Sequence, residues 1–318
     1  MASINYRPIG KSGIKVSEFA LGGWTTFGAS VREEKKVDHI LSKAFEAGIN
    51  FFDMADVYAK GECEKSMGKI LKKFPRQHLV LSSKVFFPIT QDPNDQGLSR
   101  KHIMESIHKS LKNIGSDYLD LYFCHRYDPQ TPLEETVRAM DDLIHQGKIL
   151  YWGTSEWSAQ QLEAVQKLCA QKNYYTPIVE QAQYSLVCRK KFEEEILPVL
   201  EDHQLGSVTW SPLGSGILTG KYDQGIPPDS RLGQITWLQE SFYQEKILES
   251  VKQFKKIAEA LGVSRSQLAL AWTKAQKGVT SVILGVTQLE QLEENLKALE
   301  ISLNPKTDTD LREIFKAF

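Results

Sequence analysis

The stretch Asn50-Phe51-Phe52-Asp53-Met54-Ala55-Asp56-Val57-Tyr58 ends a short apolar run on a carboxylate and brings a phenol soon after it. The run has the length and composition of a buried strand, so Tyr58 is predicted in the loop that follows the strand. Two later strand-like runs also end on polar residues, one on Lys84 and one on His125. Parallel α/β folds carry their chemistry at the carboxyl ends of neighbouring strands, and we therefore expect these four groups to meet at one rim.

Strand-like and helix-like segments alternate on both sides of this stretch. Eight strand–helix units run from about Phe19 to a last strand at 280–285, after a turn at 9–14 that predicts a hairpin. Strict alternation favours an all-parallel sheet. Eight units without a linker, and the lack of a G-x-G-x-x-G fingerprint, favour a closed barrel over a doubly wound sheet. We therefore expect residues 1–318 to form a single (β/α)₈ TIM barrel domain with an N-terminal β-hairpin and extra C-terminal helices.

Local signals predict where helices begin and where the chain leaves the regular alternation. Helix starts are indicated by hydroxyl side chains at the N-cap, namely Ser99, Thr131, Ser158 and Ser264. A helix is predicted over 190–202 despite Pro198, and another over 244–261. Before the second of these lies a Gly- and Pro-rich segment, residues 212–233, whose length predicts a lid over a ligand.

Composition argues against several functional classes. The formal net charge is −1, so no basic excess points to nucleic acid. No run of about 18 apolar residues indicates membrane insertion, and the first residues lack the apolar core of a signal peptide. The four cysteines show no C-x-x-C spacing and are interpreted as free thiols of a reducing cytoplasm.

The phenol is the most informative of the four rim groups. A free tyrosine has a pKa of about 10 and is a weak acid at neutral pH. A neighbouring ammonium lowers that pKa, and Lys84 is the candidate, with Asp53 to hold it charged and oriented. His125 is then available to donate a hydrogen bond to a substrate oxygen. Together the four residues are suited to protonate a carbonyl oxygen while hydride arrives at the carbonyl carbon.

Several stretches resemble the aldo-keto reductase superfamily, and the likeness extends over nearly the whole chain. They are GINFFDMADVY (48–58), Lys84 with its strand, and YLDLYFCHR (118–126). Within that superfamily, the chain is most similar to voltage-gated potassium channel β-subunits and their plant and microbial relatives in TPLEETVRAM (131–140), YWGTSEWS (151–158) and TWSPLGSGILTGKYDQGIPPDSR (209–231). The resemblance implies NADPH (NADP⁺) bound across the C-terminal rim of the barrel, and a catalytic tetrad of Asp53, Tyr58, Lys84 and His125.

The resemblance also implies ligand contacts, position by position. At the nicotinamide end they are Gly23, Trp24, Asp53, Ser155, Gln181 and Trp210, with Trp210 stacked on the ring. Over the pyrophosphate and the adenosine phosphate they are Ser211, Pro212, Leu213, Gly214, Ser215, Lys221 and Arg231. At the adenosine end, where a helix N-terminus favours phosphate, they are Gly285, Thr287, Gln291, Glu294 and Asn295. The substrate contacts are Trp24, Tyr58, Phe86, His125 and Trp157, which with Phe87 and Tyr127 form a mouth suited to aromatic or apolar aldehydes.

Two positions depart from parts of the superfamily. Glu156 stands where many reductases carry Asn and animal channel β-subunits carry Arg, so no carboxamide contact is carried over there. His125 stands where animal channel β-subunits usually carry Asn. The reductase tetrad is therefore complete, which favours an enzyme.

Three functions remain open at this point. The first is an NADPH-dependent aldo-keto reductase that converts aldehydes and ketones to alcohols, with Tyr58 as general acid and no metal. The second is a channel β-subunit-like regulator that uses bound NADP(H) as a redox sensor and has a membrane channel as its partner. The third is a metal-dependent barrel enzyme that uses Asp53, Asp56, Glu62 and His125. The expected substrate is a small carbonyl compound, and both a monomer and a homotetramer are compatible with the sequence.

Overall fold

The computed structural model describes residues 4–318, which begin with a small antiparallel hairpin. Its strands are β1 (Tyr6–Pro8) and β2 (Lys15–Ser17). Ile9 and Val16 of this hairpin are fully buried against the interior of the barrel that follows. Gly10 approaches Gln204 and Gly206 so closely that a side chain there would collide with their backbone. The predicted hairpin is present and closes the amino-terminal end of the barrel.

Eight parallel strands form a closed barrel, as predicted. In chain order they are β3 (Phe19–Gly22), β4 (Phe51–Asp53), β5 (Val80–Val85), β6 (Leu119–Cys124), β7 (Ile149–Ser155), β8 (Val179–Gln183), β9 (Gly206–Trp210) and β10 (Ser281–Leu284). Each strand pairs with the next along the chain, and β10 pairs with β3 to close the ring. Side chains such as Phe51, Leu121, Phe123 and Val208 fill the interior, so the barrel is a packed core rather than a channel.

Helices surround the barrel, and the longer ones bury apolar side chains against it or against a neighbouring helix. In chain order they are α1 (Glu34–Glu46), α2 (Glu62–Leu71), α3 (Arg100–Ile114), α4 (Leu133–His145), α5 (Ala159–Lys172), α6 (Leu197–His203), α7 (Arg231–Gln234), α8 (Thr236–Phe242), α9 (Glu245–Ala260), α10 (Arg265–Ala275), α11 (Leu289–Leu296) and α12 (Pro305–Ile314). On α1, for example, Val37, Ile40 and Leu41 are fully buried. The (β/α)₈ architecture is therefore confirmed, with α12 as a C-terminal addition. Among residues 4–318, no helix combines the length and apolarity needed to cross a membrane.

Three of the four predicted helix caps are confirmed. They are Ser99, Ser158 and Ser264, each of which accepts a hydrogen bond from a backbone N–H of its helix. The prediction for Thr131 is wrong, because Pro132 occupies the N-cap position of α4. The Thr131 hydroxyl instead donates to Asp128 at 2.7 Å.

The predicted helix over 190–202 is present in a modified form. Residues Lys191–Ile196 form a π-helical turn that leads directly into α6. Pro198 lacks an N–H group, and its ring would crowd the carbonyl four residues earlier in a regular helix. The wider turn therefore accommodates the proline at the start of α6.

The 212–233 segment is more structured than its glycine and proline content suggested. It contains a 3₁₀ turn at Gly214–Thr219, and α7 and α8 follow before the predicted helix α9. Ile217, Leu218 and Tyr222 are buried and hold the segment against the barrel. The helix α8 was not predicted, because so short an element shows no full amphipathic period.

Candidate active site

A buried ammonium lies at the centre of the C-terminal rim. Asp53 ends β4 and lies opposite Ser82 of β5, and Lys84 follows two residues later on the same face of that strand. Lys84 Nζ donates to Asp53 Oδ2 at 2.7 Å, to the Met54 carbonyl at 2.7 Å and to Tyr58 Oη at 3.1 Å. The strand register thus brings a carboxylate, an ammonium and a phenol into one hydrogen-bonded chain.

Lys84 keeps its charge although its side chain is 0% exposed. Burial alone lowers the pKa of Lys84, but the Asp53 carboxylate and Tyr58 more than offset this, so the pKa lies above its usual range. Asp53 is held from its other side, because its Oδ1 accepts from Ser82 Oγ at 2.7 Å and from Gln181 Nε2 at 3.1 Å. A charged and oriented ammonium therefore faces the phenol at neutral pH.

The expectation that the pKa of Tyr58 falls below its ordinary value is wrong for the protein alone. Burial raises the pKa of Tyr58 to about 12, while Lys84 lowers it and Asp53 adds to the rise. Desolvation thus outweighs the neighbouring ammonium. Tyr58 is a protonated phenol at neutral pH, the form that can donate a proton, and Lys84 reduces the rise in its pKa without reversing it.

His125 completes the group at the end of β6. Its ring lies edge-on to Tyr58, with 5.8 Å between the centroids, and edge-on to Phe87 at 5.0 Å. Burial, with the nearby charges of Lys84 and Arg126, holds the pKa of His125 well below its usual range. Its Nδ1 is buried and has no hydrogen-bond partner within residues 4–318. His125 is therefore a neutral imidazole with an N–H group to donate.

Four of the five side chains expected to line an aromatic mouth are half-buried. The half-buried side chains are Trp24, Phe86, Phe87 and Tyr127. The expectation for Trp157 is wrong, because this side chain is fully buried and no substrate could reach its surface. The Trp157 ring packs edge-on against the half-buried ring of Tyr127, with 4.9 Å between the ring centroids.

Sequence reasoning missed two residues at the site. Ser82 bonds directly to Asp53, and the only signal for it was a hydroxyl side chain in the strand that leads to Lys84. Trp237 of α8 is 51% exposed, and its ring lies 6.3 Å from that of Trp24. No signal pointed to Trp237, since α8 itself was not predicted.

Arg231, predicted over the pyrophosphate and adenosine phosphate, lies beside Gly285, predicted at the adenosine end. A Cβ atom placed on Gly285 would lie 3.5 Å from the Arg231 guanidinium. That guanidinium also lies 5.4 Å from the Trp24 ring, and burial lowers its pKa. No carboxylate of residues 4–318 pairs with it, so the rim holds an uncompensated cation next to a position without a side chain. Such a site suits an anion.

The other residues predicted over the phosphates lie in the segment that follows β9. Ser211 and Ser215 both have a left-handed backbone, and Ser211 Oγ accepts from the Ser215 N–H at 3.1 Å. Of the rest, Pro212 and Gly214 are buried, Leu213 is half-buried and Lys221 is exposed. Gly23 is buried after β3, where a Cβ would lie 2.2 Å from the Cys63 sulfur.

The residues predicted for the adenosine end follow β10. Gln291 Oε1 accepts from the backbone N–H of Thr287 at 2.8 Å, which orders the start of α11. Glu294 is half-buried and accepts from Gln267 Nε2 at 2.8 Å. Asn295 is buried, and the exposed Gln291 is therefore the more accessible of these polar side chains.

Three of the residues predicted at the nicotinamide end, Ser155, Gln181 and Trp210, lie on β7, β8 and β9. Ser155 is paired with Gln181 and Gln183 with Trp210 in the strand register, so their side chains share the rim. Gln181 already donates to Asp53, which links this end to the ammonium. Glu156 lies among them, directly after β7.

The four residues of the alternative metal site do not combine as ligands. Among residues 4–318, no group of three or more His, Cys, Asp and Glu side chains is arranged to hold a metal ion. Glu62 is exposed and pairs with Lys65, while Asp53 is committed to Lys84. The Asp56 carboxylate accepts a hydrogen bond from Ser106 Oγ at 2.6 Å. The donor set therefore does not support the metal-dependent alternative.

Comparison with known proteins gives one consistent family. The sequence model of the aldo/keto reductase family matches residues 18–316. A probable voltage-gated potassium channel subunit beta of Arabidopsis thaliana is 44% identical over 94% of this chain and 92% of that protein. A putative voltage-gated potassium channel subunit beta of Schizosaccharomyces pombe is 43% identical over 94% of this chain and 89% of that protein. A probable voltage-gated potassium channel subunit beta of Oryza sativa subsp. japonica is 45% identical over 94% of this chain and 92% of that protein. The chain belongs to the aldo/keto reductase family, a family of oxidoreductases, and resembles its potassium channel β-subunit-like members.

Proposed function

We propose that the chain is an NADPH-dependent reductase of aldehydes and ketones, with Tyr58 as the general acid, and that residues 1–318 form one catalytic domain. The observation that carries this proposal is the buried chain in which Lys84 Nζ lies 2.7 Å from Asp53 and 3.1 Å from Tyr58. Burying such an ion pair is costly and adds little net stability, so a functional role is the better explanation of these buried charges. The hydrogen-bonded group of Asp53, Lys84 and Tyr58 is suited to donate a proton from the Tyr58 phenol.

The residues of the rim fit a dinucleotide phosphate. The unpaired guanidinium of Arg231 beside Gly285 would hold a phosphate group, because arginine forms charge-assisted bonds with phosphate oxygens. Trp210, half-buried at the end of β9, would offer its ring to the nicotinamide. These features lie on the same rim as Tyr58, as hydride transfer to a substrate there requires.

The chain's own residues would manage the proton and the orientation of the substrate. Bound NADPH supplies the hydride that adds to the carbonyl carbon. Tyr58 Oη donates its proton to the carbonyl oxygen, and Lys84 stabilises the phenolate that remains. Neutral His125 donates a hydrogen bond to the same oxygen and so fixes the carbonyl. Asp53 holds Lys84 charged throughout the transfer.

A substrate panel tests the proposal. Purified protein is incubated with NADPH and with aromatic aldehydes, aliphatic aldehydes or ketones, and the loss of NADPH absorbance is followed. We expect turnover that depends on both components, with aromatic aldehydes preferred because of the mouth formed by Trp24, Phe86 and Phe87. Binding of NADPH without turnover on any carbonyl compound would contradict the proposal.

A second function is favoured by the names of the three relatives, which are channel β-subunits. In this alternative, the protein binds NADP(H) tightly, turns over barely and reports the redox state of the nucleotide to a potassium channel. Both functions predict that the nucleotide binds. Steady-state turnover separates them, because the reductase turns over and the regulator barely does. An apparent mass of four chains would favour the second function further, since the channel β-subunits resembled are tetramers.

We also propose that the protein works in the cytoplasm, where NADPH is available. Cys63, Cys124, Cys169 and Cys188 are free thiols, as expected for a reducing compartment.

A further inference from the structure

Glu156, one of the two positions that depart from parts of the superfamily, has an unusual backbone. Its φ angle is 59°, which places a non-glycine residue in the left-handed region. That conformation costs of the order of 1 kcal/mol or more and persists only where surrounding contacts fix it. Its backbone N–H donates to the Gln181 carbonyl at 3.2 Å. The backbone of Glu156 is therefore held in place directly at the rim.

The carboxylate of Glu156 ties three strand ends together. Its Oε1 accepts from the Gln183 backbone N–H at 2.6 Å and from Trp210 Nε1 at 3.0 Å. Its Oε2 accepts from Lys191 Nζ at 3.0 Å. The side chain is only 17% exposed, and both of its oxygens are already occupied by donors of this chain. Both oxygens of Glu156 are therefore engaged by donors of this chain, and one of these donors is the indole of Trp210.

An indole has one N–H group, so a hydrogen bond to it fixes the rotation of the ring. The Trp210 ring is fixed a second time by Trp24, which meets it edge-on with 6.0 Å between the centroids. We propose that Glu156 is a positioning residue that sets the plane of Trp210, against which the nicotinamide lies, and that it takes no part in binding the carboxamide. This inference rests on the proposed function, because it concerns the site of that cofactor.

Three variants separate positioning from a merely structural role. Glu156→Ala removes the acceptor of the indole, Glu156→Gln keeps one carbonyl oxygen able to accept, and Lys191→Met removes the ion pair while leaving the acceptor. The first readout needs no cofactor: hydrogen exchange of the Trp210 indole N–H, followed by nitrogen-15 NMR and assigned with Trp210→Phe. We expect exchange to be at least about tenfold faster in Glu156→Ala, intermediate in Glu156→Gln and close to wild type in Lys191→Met.

The second readout is single-turnover hydride transfer with NADPH and an aldehyde. Glu156→Ala should slow the transfer roughly tenfold or more, because misplacing a reacting ring is costly, with NADPH affinity nearly unchanged. Trp210→Phe should slow it similarly, and adding Glu156→Gln to Trp210→Phe should have little further effect. If Glu156→Ala does not fold, the comparison of Trp210→Phe with and without Glu156→Gln still decides the matter.

The outcomes distinguish this inference from the proposed function. A wild-type protein that neither binds NADPH nor reduces aldehydes overturns the proposed function and this inference with it. A wild-type protein that does both, with Glu156→Ala equal to it in indole exchange or in hydride transfer, overturns the inference alone. A fall in NADPH affinity that accounts for the whole loss of rate would also overturn it, since it would mark Glu156 as a ligand.

Discussion

Breaking the Asp53–Lys84 pair should be costly, because both charges are buried. The Lys84 side chain is 0% exposed and that of Asp53 is 3% exposed. In Lys84→Met, the carboxylate keeps only Ser82 and Gln181 as donors, and in Asp53→Asn the ammonium keeps no carboxylate partner. Removing one member of a buried pair typically costs about 3–5 kcal/mol of unfolding free energy, and we expect each single variant to lose about that much.

The double variant Asp53→Asn/Lys84→Met contains no buried charge at this position. Its unfolding free energy should therefore lie several kcal/mol above the value expected from adding the two single losses, as replacement of a whole buried pair is often close to neutral. Hydride transfer should stay lost in all three variants, because Tyr58 no longer has an ammonium to stabilise its phenolate. Stability and activity would thus separate in the double variant.

Urea unfolding followed by circular dichroism and tryptophan fluorescence measures these losses, with the denaturant slope checked for each variant. Lys69→Met is a matched control, because it removes an ion pair with Glu34 whose side chains are 64% and 60% exposed. An exposed pair is worth at most about 1 kcal/mol. If Lys84→Met costs no more than Lys69→Met, or if the double variant loses the full sum, the buried charges do not act as a pair.

Three further predictions concern the rim and its surroundings. Arg231→Met should weaken NADPH binding roughly tenfold or more and NADH binding less, because arginine forms charge-assisted bonds with the additional phosphate. Competitive titration followed by tryptophan fluorescence measures both affinities, and an equal loss for the two nucleotides would refute the assignment of Arg231 to that phosphate. Limited proteolysis should cut the 212–233 segment within residues 223–230, where Asp223, Gln224, Pro228 and Asp229 are exposed, and NADPH should slow the cutting; nucleotide-independent cutting would argue against a lid. Burial raises the pKa of Asp56 to about 7, so the folded protein holds this proton more tightly than the unfolded chain, and stability falls as pH rises from about 4 to 7. Asp56→Asn should therefore raise the unfolding free energy at about pH 8 but not at about pH 4, and equal effects at both would contradict this.

The fold could be predicted from the sequence because its elements depend on local pattern. All eight barrel strands were expected, since each is a short apolar run bounded by turn or cap residues. The π-helical turn before Pro198 could not be predicted from local pattern. It relieves a clash between the proline ring and an earlier backbone carbonyl, and how the clash is relieved depends on the tertiary packing. The helix α8 was missed because its two buried residues, Leu238 and Phe242, span a single turn.

The site could be predicted only as far as strand ends reveal it. Asp53 ends β4, Lys84 lies one residue before the end of β5, and His125 directly follows β6. Tyr58 follows β4 in the next loop, so pattern and family resemblance agreed. Trp157 was placed wrongly because the left-handed turn at Glu156, which sequence does not show, comes between it and the end of β7. Its backbone N–H donates to the buried Glu180 at 3.3 Å, and its ring enters the core.

The pKa of Tyr58 was misjudged for a related reason. A sequence indicates which charges can approach the phenol, but not how much water is removed from it. In the structure, desolvation outweighs Lys84, and the pKa rises to about 12.

The proposed mechanism depends most directly on the proton that Tyr58 donates. The decisive measurement is single-turnover hydride transfer from NADPH to an aromatic aldehyde by Tyr58→Phe, with Tyr175→Phe as the matched control at an exposed tyrosine. We predict that Tyr58→Phe binds NADPH and unfolds nearly as wild type does, but transfers hydride about a hundredfold or more slowly, while Tyr175→Phe is unaffected. A Tyr58→Phe protein that reduces the aldehyde at a rate close to wild type would contradict the central claim.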